Sequence, residues 1–240
     1  MRYGYSPEEI YELFKKYSKN IKYINWPNII KAIYGLISKR KIIITGLNSG
    51  IEIEEIIREA CLKKGIKKIR DIKRPLIIPS TNLHNGEILV FHSIKNRVQF
   101  SDHITYIDDI DIGKAVRASC SYPGVFSPCN YKGIELVDGG LRDNVPWKET
   151  KKLGADKVLS IVFENELKNN CCDNIIEVMT NSLAILSHEL SNYELEGADY
   201  LLKVKTEKEI SLLDTKQIDY LYDVGYSQTK KQIKKIKELF

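Results

Sequence analysis

Short apolar runs of strand length alternate with segments of helical period along this chain, and that alternation narrows the possible folds more than any other feature. Ile53, Ile56, Ile57 and Cys61 recur near helical spacing over 51–64, a segment closed by Gly65. Pro7 follows Ser6 and precedes Glu8 and Glu9, which marks a capped helix start with proline at the first position, running to about Tyr17. Further helices are expected over 27–37, 112–121, 175–190 and 219–239. Strands are expected over 74–80, 88–92, 134–137, 157–163 and 200–204, and Lys41–Thr45 is another run of strand length. Asn85-Gly86 between two of these strands is a hairpin turn signal. Strands separated by helices specify an α/β layer fold with a largely parallel sheet. There is no internal repeat or linker-like tract, and the polar stretch 164–173 reads as a loop, so residues 1–240 are expected to form a single domain.

Bulk properties exclude several classes. The chain has 240 residues, enough to bury a substantial core. No apolar run approaches the roughly 20 residues of a membrane span, and residues 1–7 have no signal-peptide core. Five cysteines (Cys61, Cys120, Cys129, Cys171, Cys172) without CxxC pairs argue against a disulfide framework or a zinc site and suit a reducing cytoplasm. His84, His92, His103 and His188 have no metal-ligand spacing. The net charge is +5, and the one dense basic run is Lys230–Lys237. That run reads either as the solvated face of a terminal helix or as a surface resting on anionic lipid headgroups. No aromatic-interleaved basic stripe points to nucleic acid.

The densest chemical signal lies between Ala115 and Trp147. Ala118-Ser119 is followed by Tyr122-Pro123-Gly124-Val125-Phe126, then by the apolar run Ile134–Val137 into Asp138-Gly139-Gly140, then by Asp143-Asn144 and Pro146. Asp138 should emerge at the carboxyl end of a strand, where open α/β sheets place their sites. An aspartate near apolar walls resists ionisation and is a better proton acceptor than one in water. Gly139 and Gly140 leave room for a sharp turn and a close approach of the backbone to a substrate. Pro123-Gly124 suits a tight turn, and Pro123, Gly124, Asn144 and Pro146 are read as loop-shaping residues.

This ordered set resembles the patatin-like phospholipases, a family of lipid acyl hydrolases. Weaker similarity extends over Gly4–Ile10, Pro75–Ser93, Gly197-Ala198-Asp199 and Gly225-Tyr226. The resemblance implies a three-layer α/β/α fold with a mainly parallel central sheet and a serine–aspartate catalytic pair. It makes Asp138 the proton acceptor within the motif Asp138-Gly139-Gly140. It also implies a lipid or other ester substrate, no metal or organic cofactor, and a cytoplasmic protein able to meet a membrane surface peripherally.

The nucleophile of that pair should stand in a Gly-x-Ser-x-Gly turn between strand and helix, and these 240 residues contain none. In Gly46-Leu47-Asn48-Ser49-Gly50 the serine is out of register; Ser227 starts within a helix; Ser119 and Ser121 are on no such turn. A glycine-rich oxyanion loop is absent as well, and losing one of its donors typically costs about 10²–10³ in rate. The expectation is therefore an N-terminally truncated domain lacking its first strands, by about fifty residues. Such a chain would be poorly stable and inactive alone. The alternative is a non-catalytic homologue acting as a binding or regulatory module.

Overall fold

A computed structural model describes residues 4–18, 30, 34, 38, 45–95, 104–164, 175–208 and 215–239. Helix α1 covers Pro7–Ser18. Its start is a reciprocal cap: Glu9 N donates to Ser6 Oγ at 3.2 Å, and Ser6 N donates to Glu9 Oε2 at 2.6 Å. The expected helix over 27–37 and the run Lys41–Thr45 lie almost wholly outside the described residues, as does the expected loop 164–173.

The chain is α/β, with helices set among mixed strands. Strands β1 (Gly46–Asn48), β2 (Ile77–Asn82), β3 (Ile88–His92), β4 (Ile104–Ile107), β5 (Gly124–Phe126), β6 (Cys129–Tyr131), β7 (Ile134–Asp138), β8 (Leu159–Glu164) and β9 (Tyr200–Lys205) form three ladders. The central one is five-stranded in the order β4-β3-β2-β7-β6. Parallel pairing joins β3 to β4, β1 to β5 and β8 to β9, while β2–β3, β2–β7 and β6–β7 are antiparallel. Two of these antiparallel pairs, β2–β3 and β6–β7, follow from tight hairpins. Asn82–Gly86 closes one, with Gly86 N donating to Asn82 O at 2.8 Å. Lys132 (φ 50°) and Gly133 (φ 85°) close the other as a two-residue turn with both φ positive.

Helix α2 (Ile51–Leu62) packs on α3 (Ile112–Ser119), and α3 lies on β2, β6 and β7. Ala115 and Ala118 of α3, Leu89 and Phe91 of β3, Leu136 of β7 and Ile69 form a core that excludes solvent. The two helices meet at Gly113, where an added Cβ would stand 2.1 Å from the Glu54 carbonyl oxygen. Around that crossing Arg117 pairs with Glu54 at 3.0 Å and Arg58 with Asp111 at 2.9 Å. Asp111 also caps α3 by accepting from Lys114 N. Helices α4 (Trp147–Lys152), α5 (Ile175–Glu194) and α6 (Ile218–Leu239) follow. A smaller core joins Leu202 and Val204 of β9 to Ile236 of α6.

Strand β2 begins at Ile77 rather than Arg74 and runs on through Ser80, Thr81 and Asn82, which are buried although polar. The apolar run understated it because those three residues gain their partners from β7 across the ladder. Among the described residues no helix is long and apolar enough to cross a membrane.

Candidate active site

Strand β7 delivers Asp138. Leu136 and Val137 are buried between β2 and β6, so the next residue leaves the sheet at its carboxyl end, opposite Ser80. Two backbone contacts fix it. Asp138 N donates to Ser121 O at 3.0 Å, and Asp138 Oδ1 accepts from Gly140 N at 2.8 Å, capping a 3₁₀ turn over Gly139–Leu141. Among the described residues the Gly140 N–H is the one donor to this carboxylate, which leaves Oδ2 to take a proton. Burial raises the Asp138 pKa, and the Gly140 hydrogen bond opposes the rise without cancelling it.

Both glycines of the motif are there for space. Neither has a positive φ. A Cβ on Gly139 would lie 2.5 Å from the Pro79 carbonyl oxygen, and one on Gly140 would lie 2.7 Å from Asn144 Oδ1 and 3.1 Å from Asp138 Oδ1. The close approaches found are to β2 and to the following loop, whereas the sequence led to the expectation of one to a substrate. At Gly124 the need is conformational: φ is +82° after Pro123, and Val125 N donates to Tyr122 O at 3.2 Å, the pattern of a type II turn.

The loop after the motif is held by the far end of α5, a contact the sequence did not signal. Glu194 accepts from Asn144 N at 3.1 Å and Val145 N at 2.9 Å, and Trp147 Nε1 donates to the Glu194 carbonyl at 2.5 Å. Asn144 Nδ2 donates to Ser191 Oγ at 2.6 Å. Asn144 is therefore a loop anchor, in line with its reading as a shaping residue. Asp143 sits among carboxylates. Burial, then Glu194, then Glu149 push its pKa up to about 6. Glu149 is itself buried and hydrogen-bonded by the Tyr106 hydroxyl.

The structure brings one candidate serine to Asp138, and only through its backbone. Ser121 is buried, and its Oγ is spent on the Arg117 carbonyl at 2.8 Å. Ser119 ends α3 without a hydrogen bond to Asp138. Ser49 Oγ accepts from Ile51 N at 3.3 Å ahead of α2, and Ser227 bonds Val224 O within α6. Cys120 is another neighbour. Its residue surface is open to solvent, yet the protein packed around the sulfur, together with the charge of Asp138, pushes the thiol up to about 11. Such a thiol is a poor nucleophile near neutral pH. Burial and the same carboxylate raise Tyr122.

A strand ending in a desolvated aspartate, with a glycine pair packed on the neighbouring strand, is an arrangement chemically able to accept a proton. The sequence profile described as patatin-like phospholipase matches residues 3–151, and the chain belongs to that family. It is 30% identical over 205 residues to an uncharacterized protein of Acanthamoeba polyphaga mimivirus, covering 77% of this chain and 63% of that protein. It is 27% identical over 157 residues to the lysophospholipase NTE1 of Lodderomyces elongisporus, covering 65% of this chain and 9% of that protein. With YqhO of Bacillus subtilis it shares 31% over 113 residues, 45% of this chain and 37% of the other. The chain thus spans less than two thirds of the length of each of these relatives.

Proposed function

We propose that this chain carries the aspartate half of a serine–aspartate lipid acyl hydrolase, with Asp138 as the proton acceptor. The observation that carries the reading is the setting of Asp138: half-buried, raised in pKa and, among the described residues, held by backbone alone with one carboxylate oxygen free. In that role Asp138 takes the proton from a serine hydroxyl as the oxygen attacks an ester carbonyl, then returns it as the alcohol leaves. Water repeats the exchange to release the fatty acid. The lysophospholipases among the relatives support a lipid ester as the substrate.

The serine would stand outside these 240 residues, which contain no Gly-x-Ser-x-Gly turn. The single domain expected from the sequence would then be the carboxyl-terminal portion of the catalytic unit, inactive alone. The three described cysteines are thiols, which supports a cytoplasmic setting. The missing serine turn equally favours a second reading, a binding module built on the same fold.

The two readings separate by assay. In protein isolated from its own source, Asp138→Asn should abolish hydrolysis of a lysophospholipid while leaving the fold intact. Full activity in that variant would remove Asp138 from the chemistry, and no activity in the unaltered protein would favour the binding module.

A further inference from the structure

Helix α6 has two unlike sides. On one, Gln228 and Gln232 bond the backbone of Lys205 and the hydroxyl of Tyr200, and Ile236 enters the β9 core. A second side, about a third of a turn round the helix, is exposed beyond its first turns. Tyr222, Tyr226, Lys230, Ile233 and Lys237 follow one another in steps of four, four, three and four residues, which lines them along one face. All five are exposed, Tyr226 to 60% and Ile233 to 37%. Lys230 Nζ stands 5.6 Å from the Tyr226 ring centre. Lys234 is exposed beside the stripe, with the acidic Asp223 next to Lys230, while Lys231, Lys235 and Glu238 are exposed further round the helix. Helix α1 adjoins the first turns of α6, where Tyr11 stacks on Tyr222 at 4.7 Å, and α1 adds two exposed apolar side chains, Ile10 and Phe14.

A solvated face has no use for a row of tyrosine and isoleucine among lysines, since each exposes apolar area to water. We infer that the outward stripe of α6, centred on Tyr226, Lys230, Ile233 and Lys237, docks the protein on an anionic lipid bilayer. Tyrosine suits the headgroup level, with its ring against acyl chains and its hydroxyl in water. The lysine stems lie along the apolar zone while their ammonium groups reach anionic headgroups. Exposed isoleucine favours lipid over nucleic acid, whose phosphates offer it nothing to bury against. The inference rests on the lipid-substrate reading above, for which it supplies a way of reaching insoluble substrate.

The test is co-sedimentation of the full 240-residue chain with vesicles of phosphatidylcholine alone and of phosphatidylcholine mixed with phosphatidylserine, at low and high salt. Binding is expected to require phosphatidylserine and to weaken with salt. Lys230→Glu with Lys234→Glu should reduce it at least about tenfold, as should Tyr226→Ser with Ile233→Ser. Reversing the exposed Lys63 and Lys67, which lie off α6, should change it little. Equal loss with the Lys63 and Lys67 reversals would overturn the proposal. So would absence of vesicle binding at low salt, or binding to duplex DNA alone with the same sensitivity to the α6 variants. No hydrolysis is measured, so Asp138→Asn should bind vesicles normally even if the catalytic reading fails.

Discussion

Asp138 owes its basicity to its surroundings: removal from water favours the neutral carboxyl, and one backbone donor restores part of the charge. Because the group must be ionised to accept a proton, the acid limb of the hydrolysis profile should lie above the ordinary aspartate value of about 3.9. Gly139→Ala tests the packing that aims this residue. A methyl 2.5 Å from the Pro79 carbonyl must part β7 from β2, at about 1–3 kcal/mol of stability with loss of activity. Asp143 gives a prediction of opposite interest, since its pKa near 6 serves no evident step. Between its ordinary 3.8 and about 6 the folded chain keeps a proton that the unfolded chain releases. Its contribution to stability therefore falls as pH rises through that window, and is fully unfavourable above it. Asp143→Asn should flatten this part of the stability profile and raise the melting temperature at pH 7 relative to wild type. A parallel profile for the two proteins would contradict the assignment. The placement of Asp138 at the end of β7 was legible in the sequence because an apolar run points straight into it. Glu194 was not, since about fifty residues separate it from the loop it holds and nothing local distinguishes it from a surface glutamate.

The elements with the clearest sequence signals carry their own punctuation. Ser6, Pro7 and Glu9 specify the start of α1, and the two φ-positive glycines Gly65 and Gly86 close α2 and the β2–β3 hairpin. Strands β1, β5 and β6 were invisible because three residues cannot establish a period. Helix α4 was not expected: it follows Pro146, read only as a loop-shaping residue, and its six residues are too few to establish a period. The crossing of α2 and α3 supplies a sharp test of packing against propensity. Within a helix, Gly113→Ala would gain about 1 kcal/mol from propensity alone. A Cβ 2.1 Å from backbone cannot be relieved by a rotamer change, so the clash wins. Chemical denaturation should show a net loss of at least about 1–3 kcal/mol. A stabilised variant would mean that the two helices do not meet as closely as described.

At the scale of the molecule, the α/β class follows from the alternation of periods, but sheet direction does not. Parallel pairs need long crossovers and tight turns make antiparallel ones; this chain uses both, with the strand that carries Asp138 antiparallel to its two neighbours. Asp138 draws its surroundings from β2, from the end of α3 and, through the loop it opens, from α5. Apolar side chains stay open elsewhere, with Phe163 of β8 67% exposed and Leu186 of α5 66% exposed among the described residues. On the proposed function, Asp138 serves a serine that these 240 residues do not contain. Labelling with a fluorophosphonate, which reacts covalently with activated serines, tests it most directly. The recombinant 240-residue chain should remain unlabelled. The protein isolated from its source should be labelled, and Asp138→Asn in that protein should abolish the label. A label mapped to any serine within residues 1–240, or one that persists after Asp138→Asn, would contradict the account.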